Sequence, residues 1–274
     1  MLPFVEDVAP PNALAAAVYR APAAPARIRR LAVPRPPEGS FAVTAQHIPG
    51  ARVLSCAGYS LPVLAENRML YLGEPVVLFC GPDREILAEL LRAVTLEWEP
   101  DEAPAPRAPE PVLISRGDPA GAFTAAARIV EGQYRTPAAL PYSPDPQGAV
   151  AEWAGRSLTV HSSTEDPFAV RRELARMLDI PERRIRVLAA RSGDSLQGKL
   201  LPSVLVAAQA ALLSIAANRP VKLLVDREQE ALCAPRSPAF LIRHQTALGA
   251  DGTPTGARVQ IEMSTGPIAP LHSS

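Results

Sequence analysis

Within the run RIRVLAARSGDSLQGKLLPSVLVAAQAALL, two glycines and a lysine are spaced as Gly193-x-x-x-x-Gly198-Lys199. That spacing matches the opening of a phosphate-binding loop, in which backbone N–H groups cradle phosphates and the lysine reaches toward them. The next position of such a loop carries a hydroxyl for Mg²⁺, and here it is Leu200, with Pro202 following in the first turn of an apolar stretch. The mismatch argues against a nucleotide cradle. Two readings stay open: Lys199 brings positive charge to a helix N-terminus, where an anion is the natural partner, or the segment is a plain strand-to-helix connection with a solvated lysine.

Other chemistry-bearing residues are isolated. His161, His47, His244 and His272 have no second ligand at metal-binding spacing,. Ser162 and Ser163 follow His161, but neighbours on a strand point to opposite faces, so no nucleophile–base pair is implied. Cys56, Cys80 and Cys233 are too scattered for a disulfide framework, a C-x-x-C metal site or an iron–sulfur centre, and read as buried reduced thiols,. Glu165 precedes a helix, where an acid complements the dipole. No catalytic residue and no metal ligand is assigned.

The elements that must position the turn follow from periodicity. Ile185, Val187 and Leu188 read as a strand before it and 200–217 as a helix after it. STEDPFAVRRELARMLDIP has a start signal, with Thr164 or Asp166 as cap, Pro167 in the first turn, and Phe168, Val170, Leu174, Met177 and Leu178 facing inward. GAVAEWAGRSLTVHSS reads as a hairpin, as does FLIRHQTALGADGTPTGARVQIEMSTG, turning at Asp251-Gly252. AGAFTAAARIVEGQYRTP reads as a short helix feeding a strand, RPVKLLVD as a strand and REQE as a solvated polar turn. Upstream, EPVVLFCGPDREILAELLRAVTLEWEP reads as a βαβ unit with Asp83 as helix cap, and PARIRRLAV and FAVTAQHIPG as further strands. Trp98 and Trp153 are expected to pack on sheet faces. Val259, Ile261 and Met263 form a strand with nothing after it to cover the sheet, so the second domain looks unfinished.

A chain of 274 residues suggests two domains at ~150 residues each. Pro100 to Pro111 holds five prolines and no apolar periodicity, which describes a linker. Strands outnumber helices in mixed order, so the fold class is α+β rather than a doubly wound sheet. Lys plus Arg and Asp plus Glu balance at 28 each, so no global field attracts nucleic acid or an anionic membrane. The apolar run 204–217 is shorter than the roughly 20 residues of a membrane span. The first residues lack the basic region of a secretory signal, and a cytoplasmic location is expected.

GEPVVLFCGPDREILAELLRAVTLEWEP resembles the α/β hammerhead domain of the xanthine dehydrogenase and aldehyde oxidase family of molybdenum hydroxylases. VEGQYRTP, GAVAEW, LTVHSSTEDPFAVRRELARMLDIPERRIRV, GKL, RPVKLLVDREQE and TALGADGTPTGARVQIEMSTG follow in the order of the start of that family's molybdopterin-binding domain. The resemblance runs from about residue 6 to 268. It implies a hammerhead domain at 1–103, a proline-rich linker at 104–111, and the N-terminal part of a mixed α+β molybdopterin-binding domain at 112–274.

The resemblance further implies molybdopterin as cofactor, held at Gly193, Ser195, Leu196, Gln197, Gly198 and Glu165. The family's turn usually reads Gly-Gly-Gly-Phe-Gly-Gly-Lys; here Asp194, Ser195, Leu196 and Gln197 replace small or aromatic residues, each added Cβ narrowing the site. Glu165 replaces a glutamine, putting a carboxylate where the cofactor is anionic. An acid of the preceding loop is missing, with Pro144 in its place. The family's catalytic glutamate lies far toward the end of a much longer subunit. The expected partners are therefore a complementary C-terminal large-subunit chain and iron–sulfur and FAD subunits, with the cofactor either retained through that partner or lost. The alternative is a degenerate, non-catalytic relative acting as an assembly or interaction module.

Overall fold

The run PVVLFCG contains no charged residue, so a strand built from it needs cover on both faces. In the computed structural model, which describes residues 3–56, 58–102, 111–140, 143–193, 198–234 and 236–264, every position of this strand is buried. The first part of the chain gives β1 (Leu14–Arg20), β2 (Ala26–Ala32), β3 (Phe41–Val43), β4 (Val53–Cys56), β5 (Tyr59–Pro62), β6 (Arg68–Met69), β7 (Pro75–Gly81), α1 (Arg84–Ala93) and β8 (Thr95–Pro100). The middle gives α2 (Pro119–Thr124), β9 (Arg128–Thr136), β10 (Gly148–Trp153), β11 (Leu158–Ser162), α3 (Pro167–Leu178) and β12 (Ile185–Ala189). The last part gives α4 (Leu201–Ala217), β13 (Val221–Leu224), α5 (Arg227–Cys233), β14 (Ala239–Leu248) and β15 (Pro254–Ser264). The fold is a mixed one of helices and strands.

Two compact units do not follow one another along the chain. One takes in the described residues of Met1–Ala105 and Pro141–Pro235, the other those of Pro106–Leu140 and Arg236–Gly266. In the larger unit a seven-stranded mixed sheet runs in the order β12-β11-β10-β13-β1-β7-β3. Strands from both sides of the proline-rich stretch meet in it, where β1 pairs in parallel with β13 through Leu14 and Val221.

The alternation of β7 explains its double cover. Leu78 and Cys80 enter a core shared with α3 and α4, while Val77 and Phe79 enter a second core shared with α1, as strand period dictates. Helix α4 is buried almost all round, which its lack of charge requires. No helix among the described residues is long and apolar enough to cross a membrane. Cys56 and Cys80 are free and buried, as expected; burial pushes the Cys80 thiol up to about 12.

Several local expectations hold. Asp83 caps α1 through the Glu85 N–H at 2.7 Å, and Asp166 caps α3 through Phe168 and Ala169 at 3.0 and 2.9 Å. The last hairpin turns at Asp251-Gly252, with Gly252 at φ +83°. Others need correction. The strand–helix–strand segment is not a βαβ unit: β7 lies in the large sheet, whereas β8 joins a separate sheet, β6-β2-β8, antiparallel to β2. The reason lies in β8 itself, whose Glu97 and Glu99 pair with Arg30 and Arg29 on β2, a charged partnership unsuited to a doubly covered sheet. Phe168 does not face inward; it is 62% exposed, with Arg171 over its ring at 5.4 Å. Two residues before Val170, it sits about 200° round the helix from it. REQE is not a turn but the start of α5, because Asp226 accepts the Gln229 N–H at 2.8 Å and caps a helix there.

Gly50 illustrates how loop and helix lock together in this unit. Gly50 and Ala51 donate to the carbonyls of Met177 and Arg176 at 2.9 Å each, satisfying acceptors that the end of α3 leaves over. A Cβ on Gly50 would lie 2.2 Å from the Arg176 carbonyl oxygen. Gly50→Ala is therefore expected to break both bonds and cost about 2 kcal/mol. A lower urea midpoint at unchanged m-value would confirm it; an unchanged midpoint would refute it.

The smaller unit is an antiparallel sheet, β15-β14-β9, with α2 against β15. Its register places Tyr134, Ile242 and Ile261 side by side on one face, and Gln133, Arg243 and Gln260 on the other. Gly256 lies on the polar face, where an added Cβ would meet Ala122 of α2 at 2.9 Å. Arg258 on the same face covers the Phe123 ring at 4.9 Å.

Candidate functional site

Lys199 stands immediately before a helix without a single charged residue, so its ammonium has to find a partner inside the protein. It is fully buried, and its Nζ is ion-paired with the Asp145 carboxylate. The same ammonium donates to the backbone carbonyls of Asp145 and Pro146 at 3.2 and 3.4 Å. Lys199 is thus neither a solvated lysine nor one turned outward to a phosphate.

Asp145 also receives the other end of the turn. The Gly193 N–H donates to Asp145 Oδ1 at 2.9 Å, and the Ser143 hydroxyl donates to the same oxygen at 3.0 Å. A Cβ at Gly193 would fall 3.1 Å from that oxygen, so a bare backbone suits the close approach. The Gln147 side chain donates to the Gly198 carbonyl at 2.6 Å. One loop, 143–147, therefore clamps both ends of the glycine turn. Burial opposes the charge on Asp145, but the Lys199 ammonium, the Gly193 N–H and the Ser143 hydroxyl together hold its carboxyl below the usual carboxylate range.

The loop is fixed from below by α5. Arg227 donates to the carbonyls of Ser143, at 2.7 Å, and of Pro144, and pairs with the buried Glu230 at 2.8 Å. On the other side, the start of α4 is tied to the start of α3. Ser203 Oγ lies 2.8 Å from the Lys199 carbonyl and 2.9 Å from Thr164 Oγ1. The Glu165 N–H donates to the Lys199 carbonyl at 3.2 Å.

Of the residues singled out in the sequence, Gly193, Gly198 and Glu165 come together around this clamp, with the Glu165 side chain exposed. Ser195, Leu196 and Gln197 lie outside the described residues. Pro144, where the resemblance expects an acid, is followed by Asp145, whose carboxylate this loop brings to the turn. Asp145, Gln147 and Ser203 were not singled out, and Thr164 only as a helix cap. Their signal was Lys199 itself: a cation beside an uncharged, buried helix requires a buried acid, and SPDPQG offers one between prolines.

Two buried polar atoms in the cluster have no hydrogen-bond partner, Gln147 Oε1 and Ser162 Oγ. They lie at neighbouring strand ends, since Ala149 pairs with Ser162 across β10 and β11. A heterocyclic edge with both donors and acceptors would satisfy such atoms, and the turn beside them has its ends fixed and a bare glycine at its start. The residues present thus fit a hydrogen-bonding cofactor such as a pterin. His161, on the same strand as Ser162, has its pKa lowered by burial and by Arg186. Among the described residues no group of three His, Cys, Asp or Glu could hold a metal ion.

Comparison with known proteins adds an independent observation. The family described as "Molybdopterin cofactor-binding domain" matches residues 104–274. The chain is 27% identical over 247 residues to a probable xanthine dehydrogenase subunit of Bacillus subtilis, covering 84% of this chain and 33% of that protein. It is 26% identical over 286 aligned positions to the "Nicotinate dehydrogenase large molybdopterin subunit" of Eubacterium barkeri, covering 97% of this chain and 67% of that one. The chain thus spans a third of the first relative and about two thirds of the second. Among solved structures, a chain of the CO dehydrogenase of Oligotropha carboxidovorans shares the fold at TM-score 0.81 and 20% identity, over 95% of this chain and 37% of that one.

Proposed function

Since the chain belongs to the molybdopterin cofactor-binding domain family, among the xanthine dehydrogenase-type molybdenum hydroxylases, we propose that it is the N-terminal portion of the molybdopterin-binding subunit of such an enzyme, needing a partner chain for the rest of the active site. The observation that carries this reading is the buried Asp145 carboxylate gripping both Gly193 and Lys199, which fixes a glycine turn at a strand–helix junction. Gly193, Ser195, Leu196, Gln197 and Gly198 would line the cofactor, with Glu165 beside them. When bound, the molybdenum cofactor supplies oxidation of an electron-poor carbon of an N-heterocycle or aldehyde, with electrons passing to iron–sulfur and FAD partner subunits. The chain's own part is to hold: Asp145 and Gln147 keep the turn's ends in place, and Gln147 Oε1 and Ser162 Oγ offer hydrogen bonds to a heterocycle.

The division into an α/β hammerhead domain at 1–103, a linker at 104–111 and the start of a molybdopterin-binding domain at 112–274 belongs to the same reading. Its support is that the family match begins at residue 104; it divides the sequence, and the larger compact unit runs across it. The second reading, a degenerate non-catalytic module, draws on the Lys199 charge being matched by Asp145 and on the carboxylate at Glu165.

The test is to co-express the full chain with a polypeptide of its own genome that matches the remaining length of the relatives, purify the complex, and assay molybdenum and pterin. Stoichiometric metal that requires both chains is expected. A stable complex free of molybdenum and pterin would sink the cofactor reading in favour of the interaction module.

A further inference from the structure

The register of β9, β14 and β15 sorts their side chains by polarity. Tyr134, Phe240, Ile242, Val259, Ile261 and Met263 share one face with Thr136, His244 and Thr246, whereas the opposite face carries Arg135, Arg243, Arg258 and Glu262, with Leu241 and Ile129 among them, and receives α2. On the apolar face Ile261 is 61% exposed and Tyr134 59%. The Tyr134 ring lies along its own strand over Gly132, where an added Cβ would meet its hydroxyl at 2.8 Å. Gly132 thereby lets the ring lie flat and extends the apolar surface. A contiguous exposed apolar face of this kind marks an interaction surface. A long edge strand such as β15, with eleven residues, is a further pairing liability that proteins cover.

What covers the face follows from length. The first relative is about three times as long as the part this chain matches, since the chain spans 33% of it, so relatives carry much further polypeptide. We propose that this apolar face is where the partner chain docks: a polypeptide equivalent to the relatives' remaining length, presenting an uncharged apolar surface across all three strands. This rests on the reading above that a partner chain exists, and names the surface it uses.

The full chain and the co-expressed polypeptide described above provide the test. In the complex, amide exchange in 128–136, 239–248 and 254–264 should slow at least about tenfold relative to the chain alone. Ile261→Lys and Tyr134→Lys should each weaken the complex by about tenfold or more, while Gln260→Lys on the opposite face changes it less than about twofold. Both target side chains are exposed, and circular dichroism and melting of the free variants check that they fold. A complex that forms with protection elsewhere and is indifferent to Ile261→Lys would overturn the surface while leaving the partner reading intact. A self-dimer of the chain that Ile261→Lys dissociates would overturn it in favour of a second copy. No complex at all would overturn the partner reading and the surface with it.

Discussion

Lys199→Met is expected to lower the stability of the chain by ~3–5 kcal/mol, because it leaves the Asp145 carboxylate buried without its counter-charge. The side chains are 0% and 4% exposed, so water cannot make up the loss as it does at a surface pair. Asp145→Asn should cost a similar amount, since it strands the ammonium instead. Removing both charges, in Asp145→Asn with Lys199→Met, should recover most of the deficit, because the desolvation penalty disappears together with the attraction. Urea unfolding of the four proteins at pH 7 gives the coupling between the two sites. Single variants within ~1 kcal/mol of wild type, as for exposed pairs, would show that the lysine is solvated after all. The sign with pH also follows. Asp145 has a lowered pKa in the folded chain, so its contribution is present above the ordinary carboxylate value of ~3.9 and is lost as pH falls through the lower folded value. Relative to the double variant, which has neither group to titrate, wild type should therefore lose stability in acid.

That ion pair also marks the limit of what local pattern reveals. The strand at 185–189, the helix at 201–217, the caps at Asp83 and Asp166 and the terminal hairpin were all legible, because period and capping chemistry are local. The parallel pairing of Leu14 with Val221 was not, because it joins residues two hundred positions apart and leaves no trace in either strand's composition. Strand β1 itself, LAAAVYR, passed unnoticed, its alanines giving no strong alternation although Leu14 and Val18 enter the main core. The same holds at the candidate site. The glycines and the lysine of the turn stood out, while the loop that grips them did not, since its role depends on a contact between 145 and 199.

Phe168 and β8 teach a different lesson. Phe168 is apolar and sits in an amphipathic helix, yet the angular spacing from Val170 and Leu174 puts it on the outer face, where Arg171 covers it. β8 alternates as a strand should, but its glutamates need the arginines of β2, and this partner choice decides which sheet it joins. In these two elements apolar pattern gave the type, and charge decided the neighbour.

Charge also governs the second large effect, at Glu74. This glutamate is fully buried just before β7. One of its carboxylate oxygens accepts the Leu70 N–H, while Oε1 has no partner. Arg20, bound to the adjacent Gly73 carbonyl at 3.1 Å, also donates to Gln229. Burial pushes the Glu74 carboxyl up to about 7, with the backbone N–H groups of Leu70 and Tyr71 opposing it. A raised carboxyl stabilises the fold fully below its unfolded pKa of ~4.3, and that stability is lost as pH rises through the folded value. The loss amounts to about 4 kcal/mol, because each tenfold change in proton affinity between the unfolded and folded chain is worth roughly 1.4 kcal/mol. Glu74→Gln keeps an oxygen for the Leu70 N–H and cannot ionise, so it should exceed wild type by only about 1 kcal/mol near pH 5 and by about 4 kcal/mol at pH 8. Other titrating groups, His161 among them, contribute equally to both proteins and cancel in the difference. Paired urea titrations at the two pH values decide the matter: a difference between variant and wild type that does not grow from pH 5 to pH 8 would mean that Glu74 ionises in the folded chain as freely as it does in water.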